Sequence, residues 1–393
     1  MQTSPARHDV IILGGGASGL MCAREAGLRG RRTLVLDHNP QVGKKIAISG
    51  GGRCNFTHAG ASAENYLSSN PDFCRSALSR FTPGDFLALL DQRGIGYHEK
   101  QPGQFFCNTG ARDIVDFLHQ DCLAAGVSFL LNCKCLEIRR NTVFTIETNR
   151  GVLCAPSLVV ATGGLSHPKI GATDLGHRIA LQFGLKVLAP QPALVPLRWA
   201  KEDRDIFGAL SGISFPVAAR CGKTIFKDQA LLTHRSISGP AILQISSYWN
   251  PGDPLILDLH PDGPVLPRLL ARAGGAEEPG SVLGEFLPRR FARVWCRQQN
   301  LARPMNLFRH NELETLARRI HSWTLHPSGD EGFEKAEVTR GGVDTRALSS
   351  RTMEAREIPG LFFAGEALDI TGWLGGYNLQ WAWASGAAAG RAA

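Results

Sequence analysis

The sequence predicts an α/β protein in which a domain built around a parallel sheet is interrupted by a second domain. Three observations predict this arrangement. A strand, a glycine-rich turn, a helix and a second strand follow one another between Val10 and Asp37. Short alternating apolar segments replace this pattern from about Pro192, and a buried strand followed by glycine returns at 360–366. A chain of 393 residues is long enough to bury two full-sized cores.

Composition describes an ordinary folded protein. Hydrophobic residues make up 43% of the chain and charged residues 20%, which excludes a disordered chain. No stretch approaches the roughly 18 apolar residues that span a bilayer, and the first apolar run, Val10–Leu13, is too short for a secretory signal. Ten cysteines without such a signal are typical of free thiols in a reducing compartment, and none forms a CxxC pair. We therefore expect a cytoplasmic protein with neither a membrane segment nor a metal site.

The stretch from Val10 to Asp37 has the order of a Rossmann-type nucleotide-binding unit. Val10–Leu13 is an apolar run of the buried-strand kind, helix formers fill 17–28, and Thr33–Leu36 is a second buried strand. Asp37 lies 18 residues beyond the last glycine of a GxGxxG motif. The glycines of that motif are Gly14, Gly16 and Gly19.

Each residue of this motif has a physical task. Gly14 makes the tight turn, Gly16 lets the backbone approach a pyrophosphate, and Gly19 lets the helix pack closely on the strand. The helix N-terminus offers unpaired N–H groups to the phosphates. Asp37 can accept the hydroxyls of an adenosine ribose. The unit therefore predicts a dinucleotide such as NAD or FAD.

The remaining elements of the first domain follow from apolar spacing. Helical spacing is present at Asp72–Leu78, Pro83–Arg93, Ala111–Ala125 and His177–Phe183. Strand patterns are present at Val127–Leu131, Cys135–Arg139, Val143–Thr148, Val152–Cys154 and Leu158–Ala161.

The insert has two parts. Alternating segments predict a small antiparallel unit over about 192–262, and apolar helical patterns predict a helical part over about 263–330. The helical patterns lie at Val265–Ala273, Val282–Arg297 and Leu313–Trp323. The domain boundaries that follow are 1–191 plus 339–393 for the discontinuous first domain and 192–338 for the insert.

Two further glycine-rich segments favour FAD over NAD. Residues 44–58 read KKIAISGGGRCNFTH, and a glycine triplet is a poor helix and a poor strand. Residues 361–390 place Gly365 and Glu366 just after a strand, within reach of a sugar-like hydroxyl chain. Gly376 then opens a helix near Tyr377, whose N-terminal N–H groups suit the pyrimidine edge of an isoalloxazine.

Over essentially its full length the chain resembles the BaiN/YhiN-like flavoproteins, also called the aminoacetone oxidase-like FAD-binding family. The motifs that carry the resemblance are the first glycine loop, GKKIAISGGGRCNFTH, ATGGLSHPKIGATDLG, LLTHRSISGPAILQIS, AEVTRGGV and TMEAREIPGLFFAGEALDITGWLGGYNLQWAWASG. The resemblance implies a glutathione-reductase-type, Rossmann-like FAD-binding domain. It also implies that the insert has a split β-barrel part and a helical part.

The resemblance implies FAD contacts along the whole chain. For the adenosine and pyrophosphate side these are Gly14, Gly16, Ala17, Ser18, Gly19, Asp37, Lys45, Ser49, Cys135 (through its backbone), Ala161, Thr162 and Gly163. For the ribityl chain and the flavin ring they are Gly365, Glu366, Gly376, Tyr377, Asn378 and Leu379. We further expect Gly50, Gly51 and Gly52 to let the backbone fold over the flavin or its ribityl phosphate without clashes, with Arg53 and Asn55 at the edge of the ring.

The cysteines and the glycine motifs limit which flavin chemistry the chain can perform. Cys54 is the only cysteine of the glycine-triplet loop, which disfavours a dithiol reductase; it is either a lone reactive thiol or, as we favour, a packing residue. No second strand–GxGxxG–helix unit exists for a nicotinamide. We therefore expect a FAD-dependent oxidoreductase of a small organic substrate, with NAD(P)H docking without its own Rossmann domain. The alternatives are an amine-type oxidase using O2, a flavin-binding sensor and an RNA-modifying flavoprotein.

The candidate catalytic residues are His234, Arg53 and Tyr377. His234 changes charge near neutral pH and is either a proton donor or a structural histidine, the latter being the reading we favour. Arg53 would orient an anionic or carbonyl substrate, and Tyr377 would stack near the ring.

The net charge of +8 is concentrated at 289–319, which we interpret as a solvated helical face, so nucleic acid is not the expected partner. The sequence carries no expectation for the oligomeric state.

Overall fold

The chain divides into two units in a computed structural model that describes residues 6–393. The first unit joins Met1–Gln191 to Val338–Ala393, and the second is Pro192–Glu337. The strands, in chain order, are β1 (Ala6–Arg7), β2 (Val10–Leu13), β3 (Thr33–Leu36), β4 (Asn55–His58), β5 (Tyr66–Leu67), β6 (Tyr97–Gln101), β7 (Gln104–Cys107), β8 (Ser128–Leu130), β9 (Cys135–Arg140), β10 (Phe144–Thr148), β11 (Gly151–Ala155), β12 (Ser157–Val160), β13 (Val187–Ala193), β14 (Leu197–Arg198), β15 (Ser214–Cys221), β16 (Thr224–Leu232), β17 (Ser236–Ser238), β18 (Leu255–Asp258), β19 (Trp323–Leu325), β20 (Gly329–Asp330), β21 (Val338–Val343), β22 (Leu361–Phe363) and β23 (Thr371–Gly372). The helices are α1 (Ala17–Leu28), α2 (Lys44–Gly52), α3 (Arg75–Arg80), α4 (Pro83–Gln92), α5 (Ala111–Ala124), α6 (Leu175–Gln182), α7 (Lys201–Phe207), α8 (Pro240–Ser246), α9 (Leu266–Ala271), α10 (Pro279–Leu283), α11 (Arg289–Gln298), α12 (His310–His321) and α13 (Tyr377–Gly390).

A five-stranded sheet in the order β22-β12-β2-β3-β8 is the centre of the first unit. All four strand pairs are parallel, and every residue of β2 and β3 is buried. The carboxyl ends of parallel strands meet at one edge of a sheet, which is where such folds bind their ligands. The segments that leave this edge begin at Gly14, Asp37, Ala161 and Ala364. These are the segments in which the sequence predicts the cofactor site.

Helix α13 supports this edge because it is buried almost all round. Its small residues let it pack closely along α1, while its tryptophans reach the core. The Trp383 ring stacks on Phe86 with the ring centroids 4.6 Å apart, and its Nε1 donates to the carbonyl of Phe56 at 2.9 Å. The predicted start of this helix near Tyr377 is confirmed.

Most predicted elements of the first unit are present. The hairpin over 143–154 is confirmed, since β10 and β11 pair antiparallel. The helix predicted at Asp72–Leu78 instead begins at Arg75. The three-stranded sheet β4-β7-β6 is not predicted from the sequence, because the β6 sequence YHEKQ is polar and leaves no residue buried.

The second unit is built on a seven-stranded sheet in the order β19-β18-β15-β16-β17-β14-β20. The strands β19 and β20 lie in the range predicted to be helical, and Trp323, predicted to end a helix, begins β19. The single helix predicted over Val282–Arg297 is two helices, α10 and α11, because Pro288 lacks the N–H that a continuous helix needs. No helix of the described residues is long and apolar enough to cross a membrane.

Candidate functional site

The glycine turn after β2 has the geometry of a phosphate-binding loop. Gly14 adopts a φ of +106°, and a side chain there would collide with the carbonyl oxygen of Ala161. Helix α1 begins after Gly16, and none of the described atoms lies within 4 Å of the position that a β-carbon at Gly16 would take. No side chain caps this helix end. Its first N–H groups are therefore available to an anion, and the positive end of the helix dipole favours one.

Asp37 closes the turn from the end of β3. Its Oδ2 accepts from the Gly15 N–H at 2.7 Å and its Oδ1 from the Asn39 N–H at 2.8 Å. A carboxylate has about four lone-pair sites, so capacity for the hydroxyls of a ribose remains. The Cys133 N–H donates to the Asp37 carbonyl at 3.0 Å, which places the start of β9 and Cys135 next to this position.

The segment Ala161–Gly163 lies against the same turn. The Ala161 N–H donates to the Leu13 carbonyl at 2.9 Å. The Thr162 hydroxyl oxygen is buried and has no hydrogen-bond partner among the described residues. The structure thus brings the first glycine loop, Asp37 and this segment together at one edge of the sheet.

Lys45 and Glu366 form an ion pair at this edge, with Lys45 Nζ 2.6 Å from Glu366 Oε2. Lys45 Nζ also donates to Ser166 Oγ at 2.7 Å, and Glu366 Oε1 accepts from the Thr339 N–H at 2.8 Å. Burial would raise the pKa of Glu366, but the charge and hydrogen bond of Lys45, with the Thr339 and Ser166 donors, lower it overall. Glu366 therefore stays an anion with fixed orientation.

The glycine triplet breaks α2 and turns the chain outward. Ser49 has extended backbone angles, and Gly50, Gly51 and Gly52 have φ of +58°, +66° and +82°. All three glycines are exposed. A side chain at Gly50 would press on the Asn55 N–H at 2.6 Å, whereas none of the described atoms lies within 4 Å of the corresponding position at Gly51. The loop consequently offers bare backbone to whatever lies outside it.

The start of α13 lies beside this loop. A side chain at Gly376, which has a φ of +97°, would come within 2.8 Å of Asn55 Oδ1. That oxygen is itself buried without a partner among the described residues, although Asn55 Nδ2 donates to Gln104 at 2.9 Å. Asn378 is held to Gly372, donating to its carbonyl at 2.9 Å and accepting from its N–H at 2.8 Å. Leu379 follows in the same first turn.

Tyr377, predicted to stack near a flavin ring, packs among aromatic side chains of the first unit. Its ring stacks on His58 with centroids 4.5 Å apart and meets Tyr66 edge-on at 6.2 Å. The residue is 6% exposed, and burial raises the pKa of its hydroxyl. The ring is therefore a packing element between β4 and α13.

The other two predicted catalytic residues are both exposed. Arg53 follows the glycine triplet in the first unit, and its carbonyl accepts from the Cys107 N–H at 3.0 Å, which fixes the backbone. His234 lies in the second unit on the turn between β16 and β17. That turn is closed by the Thr233 N–H, which donates to the Ser236 carbonyl at 2.9 Å.

These arrangements fit FAD. An uncapped helix end faces open space where the sequence predicts the pyrophosphate, an oriented acid lies where it predicts the ribose, and Glu366 is the residue predicted to meet the ribityl chain. Buried oxygens of Thr162, at the predicted adenosine side, and of Asn55, at the predicted flavin side, have no hydrogen-bond partner among the described residues. The sequence does not predict that Ser166 and Thr339 hold Glu366, although both lie in motifs that carry the family resemblance. No spacing rule pairs two residues that are 173 positions apart.

Known proteins with similar sequences support a nucleotide-binding site of this kind. A family model for the HI0933-like protein Rossmann domain matches residues 8–392. The chain is 44% identical over 389 residues to the ribosomal RNA dihydrouridine synthase of Escherichia coli (strain K12), with 96% of each chain covered. It is 29% identical over 408 residues to a 3-dehydro-bile acid delta(4,6)-reductase of Clostridium scindens, covering 98% of this chain and 99% of that one.

Among solved structures, the Mycobacterium smegmatis Sdh1 complex in the apo form has a similar fold. The TM-score is 0.50 at 16% identity, with 99% of this chain and 68% of that chain covered. The resemblance inferred from the motifs is confirmed by the family match, and FAD is the cofactor that both support. The chain therefore belongs to the HI0933-like family of FAD-binding Rossmann-domain proteins, and it is a flavin-dependent oxidoreductase.

Proposed function

We propose that this enzyme reduces the carbon–carbon double bond of a uracil base in ribosomal RNA, giving dihydrouridine. The observation that carries the proposal is the 44% identity to the E. coli enzyme of that name, over 96% of both chains. The Clostridium scindens relative is named as a reductase. A uracil and a conjugated ketone share one chemistry, the addition of two hydrogens across a double bond polarised by a carbonyl group.

The residues of the first unit have clear tasks in this proposal. The α1 N-terminus and Asp37 hold the nucleotide half of FAD, and Glu366 holds the ribityl chain. When bound in its reduced form, FAD supplies the hydride. Arg53 is exposed beside bare glycine backbone, so its guanidinium suits a phosphate or a carbonyl oxygen of the substrate.

The second hydrogen of the product is added as a proton. The candidate donors of this proton are Cys54 and His234. Cys54 is 0% exposed, and burial raises the pKa of its thiol to about 12, so it does not meet a substrate as an acid. His234 is exposed, and histidine is the residue type that most often transfers protons in general acid–base catalysis. We assign the proton to His234 in this proposal, and NAD(P)H is the proposed source of electrons.

A second candidate function is the reduction of a small conjugated ketone, as in the bile acid relative. It retains the small organic substrate expected from the sequence. The two candidates differ in the size and charge of the substrate, while the chemistry at the double bond is the same.

The test begins with an anaerobic absorbance titration of the FAD-loaded protein with NADPH and then NADH. The reduced protein is next mixed with ribosomal RNA from cells that lack the gene, and with a 3-oxo bile acid that has conjugated double bonds. We expect the flavin to be re-oxidised by the RNA and dihydrouridine to be found by mass spectrometry of the nucleosides. Re-oxidation by the ketone alone would favour the second candidate.

Two outcomes would overturn both reductase candidates. A flavin that is bleached only by an amine would indicate an amine-type oxidase, and a flavin that no natural reductant bleaches would indicate a sensor. His234→Ala should slow re-oxidation by substrate while leaving the FAD content unchanged. Unchanged re-oxidation in this variant would remove His234 from the reaction.

A further inference from the structure

The positive charge of the chain is concentrated in one segment of the second unit. Residues 289–319 contain eight arginines, no lysine and two glutamates, a formal net charge of +6 in a chain of net +8. This segment comprises α11, the loop after it and most of α12. These 31 residues thus carry most of the net positive charge of the chain, which is more than an even distribution over the surface would give them.

Four arginines form a stripe along α11. Arg289, Arg293 and Arg297 are spaced four apart, so they lie on one face about 6 Å apart along the helix axis. Arg290 lies on the same side, and all four residues are exposed. Among residues 6–393, no carboxylate is within ion-pairing distance of any of the four. Arg290 donates only to the Ala209 carbonyl, at 3.2 Å.

The opposite face of α11 is used inside the protein. Phe291 and Trp295 are both 0% exposed, and Phe291 packs on Phe215 with ring centroids 4.5 Å apart. A helix that lies on a membrane surface needs its aromatic face free to enter the lipid. The stripe therefore presents charge without an apolar anchor, as a phosphate-binding surface does.

A polar cleft of about 280 Å³ begins two residues beyond the stripe. Its walls carry amide, hydroxyl and guanidinium groups from Gln299, Asn300, Arg303, Asn311, Thr315 and Arg319. The Glu312 carboxylate also lines the cleft and forms an ion pair with Arg303, which leaves the amides and Arg319 as the groups that face a ligand. The Arg303 guanidinium lies 4.2 Å from the centre of the Phe308 ring, and its Nε is buried without a partner in the described chain. Amide and guanidinium groups recognise the edges of unstacked bases.

We infer that the α11 stripe binds the phosphates of single-stranded RNA and that the adjoining cleft takes an unstacked base. The identification of the partner as RNA rests on the proposed function. The stripe supplies affinity that depends on salt, because each bound phosphate releases counterions. The amides of the cleft, Asn311 among them, supply uncharged contacts, which are insensitive to salt.

The test compares two triple variants of the FAD-loaded protein. One is Arg289→Gln, Arg293→Gln and Arg297→Gln in the stripe. The control is Lys201→Gln, Arg220→Gln and Lys223→Gln, which removes three exposed, unpaired charges elsewhere in the same unit. The probe is protein-free, fragmented ribosomal RNA, and binding is measured by fluorescence anisotropy from about 50 to 300 mM KCl, a range over which phosphate contacts are strongly screened.

We expect the stripe variant to bind about tenfold or more weakly at low salt, with a log–log salt slope reduced by about 2, since each phosphate contact in a single strand contributes about 0.7. The control should change affinity less than about twofold. Asn311→Ala in the cleft should lower affinity about threefold, the effect of one neutral hydrogen bond, without changing the slope. Equal slope changes in both triple variants would overturn the inference.

Measuring dihydrouridine formation together with RNA binding distinguishes a failure of this inference from a failure of the proposed function. Wild-type protein that binds RNA through the stripe but makes no dihydrouridine would overturn the proposed function alone. Protein that makes dihydrouridine with the same KM and salt slope in the stripe variant would overturn the inference alone. Stripe-dependent binding to phosphatidylglycerol vesicles, with RNA binding unaffected, would assign the surface to a membrane instead. Flavin content and thermal unfolding of each variant exclude misfolding as the cause.

Discussion

Lys45 Nζ lies 2.6 Å from Glu366 Oε2, and this ion pair joins two residues that are 321 positions apart in the chain. Both carboxylate oxygens of Glu366 are held, since Oε1 accepts from the Thr339 N–H at 2.8 Å and from Ser166 Oγ at 3.1 Å. The pair therefore aligns the end of β22 with the start of α2. It positions the carboxylate at the place proposed for the ribityl chain.

Replacing Lys45 by Met should destabilise the protein without FAD by about 1–3 kcal/mol at pH 7. The loss is smaller than for a fully buried pair because the Lys45 side chain is 37% exposed. Lys44→Met is the matched control, since Lys44 Nζ donates only to the neutral Asn39 side chain, at 2.9 Å. Urea unfolding of both variants measures the difference, and an equal loss in the two would contradict this account.

The same substitution should change how stability depends on pH. The folded pKa of Glu366 lies below its ordinary value of 4.5, so the pair contributes stability above that pH and loses it as the pH falls through the folded value. The gap between wild type and Lys45→Met should therefore be full above about pH 5 and shrink in more acidic solution. A gap that stays constant from pH 7 to pH 3 would show that the lysine acts through packing alone.

Gly51→Val should lose bound FAD while the empty protein remains folded. The φ of +66° strains a valine by about 1–2 kcal/mol, but none of the described atoms outside the neighbouring residues lies within 4 Å of the position that its β-carbon would take. Gly94→Val is the matched control, since Gly94 has the same φ of +66° and equally open surroundings. The absorbance ratio of flavin to protein after purification measures retention. Full flavin in Gly51→Val would mean that the triplet does not face the cofactor.

Asp37→Asn should weaken FAD binding and lower the free energy of unfolding by about 1–3 kcal/mol. Both Asp37 oxygens accept backbone N–H groups, from Gly15 and Asn39, and an asparagine presents a donor to one of them. FAD titration of the empty protein, followed by flavin fluorescence, measures the affinity. Unchanged affinity together with the expected instability would confine Asp37 to fixing the turn.

Cys54 should resist alkylation in the folded protein. Burial raises the pKa of its thiol to about 12, so almost no thiolate exists at pH 8. Iodoacetamide at pH 8, followed by peptide mass spectrometry, should modify Cys54 only after unfolding in guanidinium. The less buried Cys154 is the internal comparison and should react first. Rapid labelling of Cys54 would support the reactive-thiol alternative.

The sequence predicts those elements that a local pattern of apolar residues determines. The apolar run Val10–Leu13 and the strand ending at Asp37 are predicted correctly, because four buried residues in a row leave little choice. Strand β6 is not predicted, because its side chains face solvent and alternate weakly. The ion pair of Lys45 with Glu366 is not predictable either, because each residue is assigned separately and only the fold brings them together. Pro288 is a visible signal that the helix over Val282–Arg297 must break.

The position of β22 has a consequence for biosynthesis. This strand pairs with β12 at one edge of the central sheet, and α13 packs along α1, yet both are translated after the second unit. On the ribosome, the first unit therefore waits with an open sheet edge while the whole second unit is translated, and domains generally fold as units once complete. FAD uptake should accordingly follow the synthesis of β22 and α13. A chain cut short before Leu361 should emerge from the ribosome colourless.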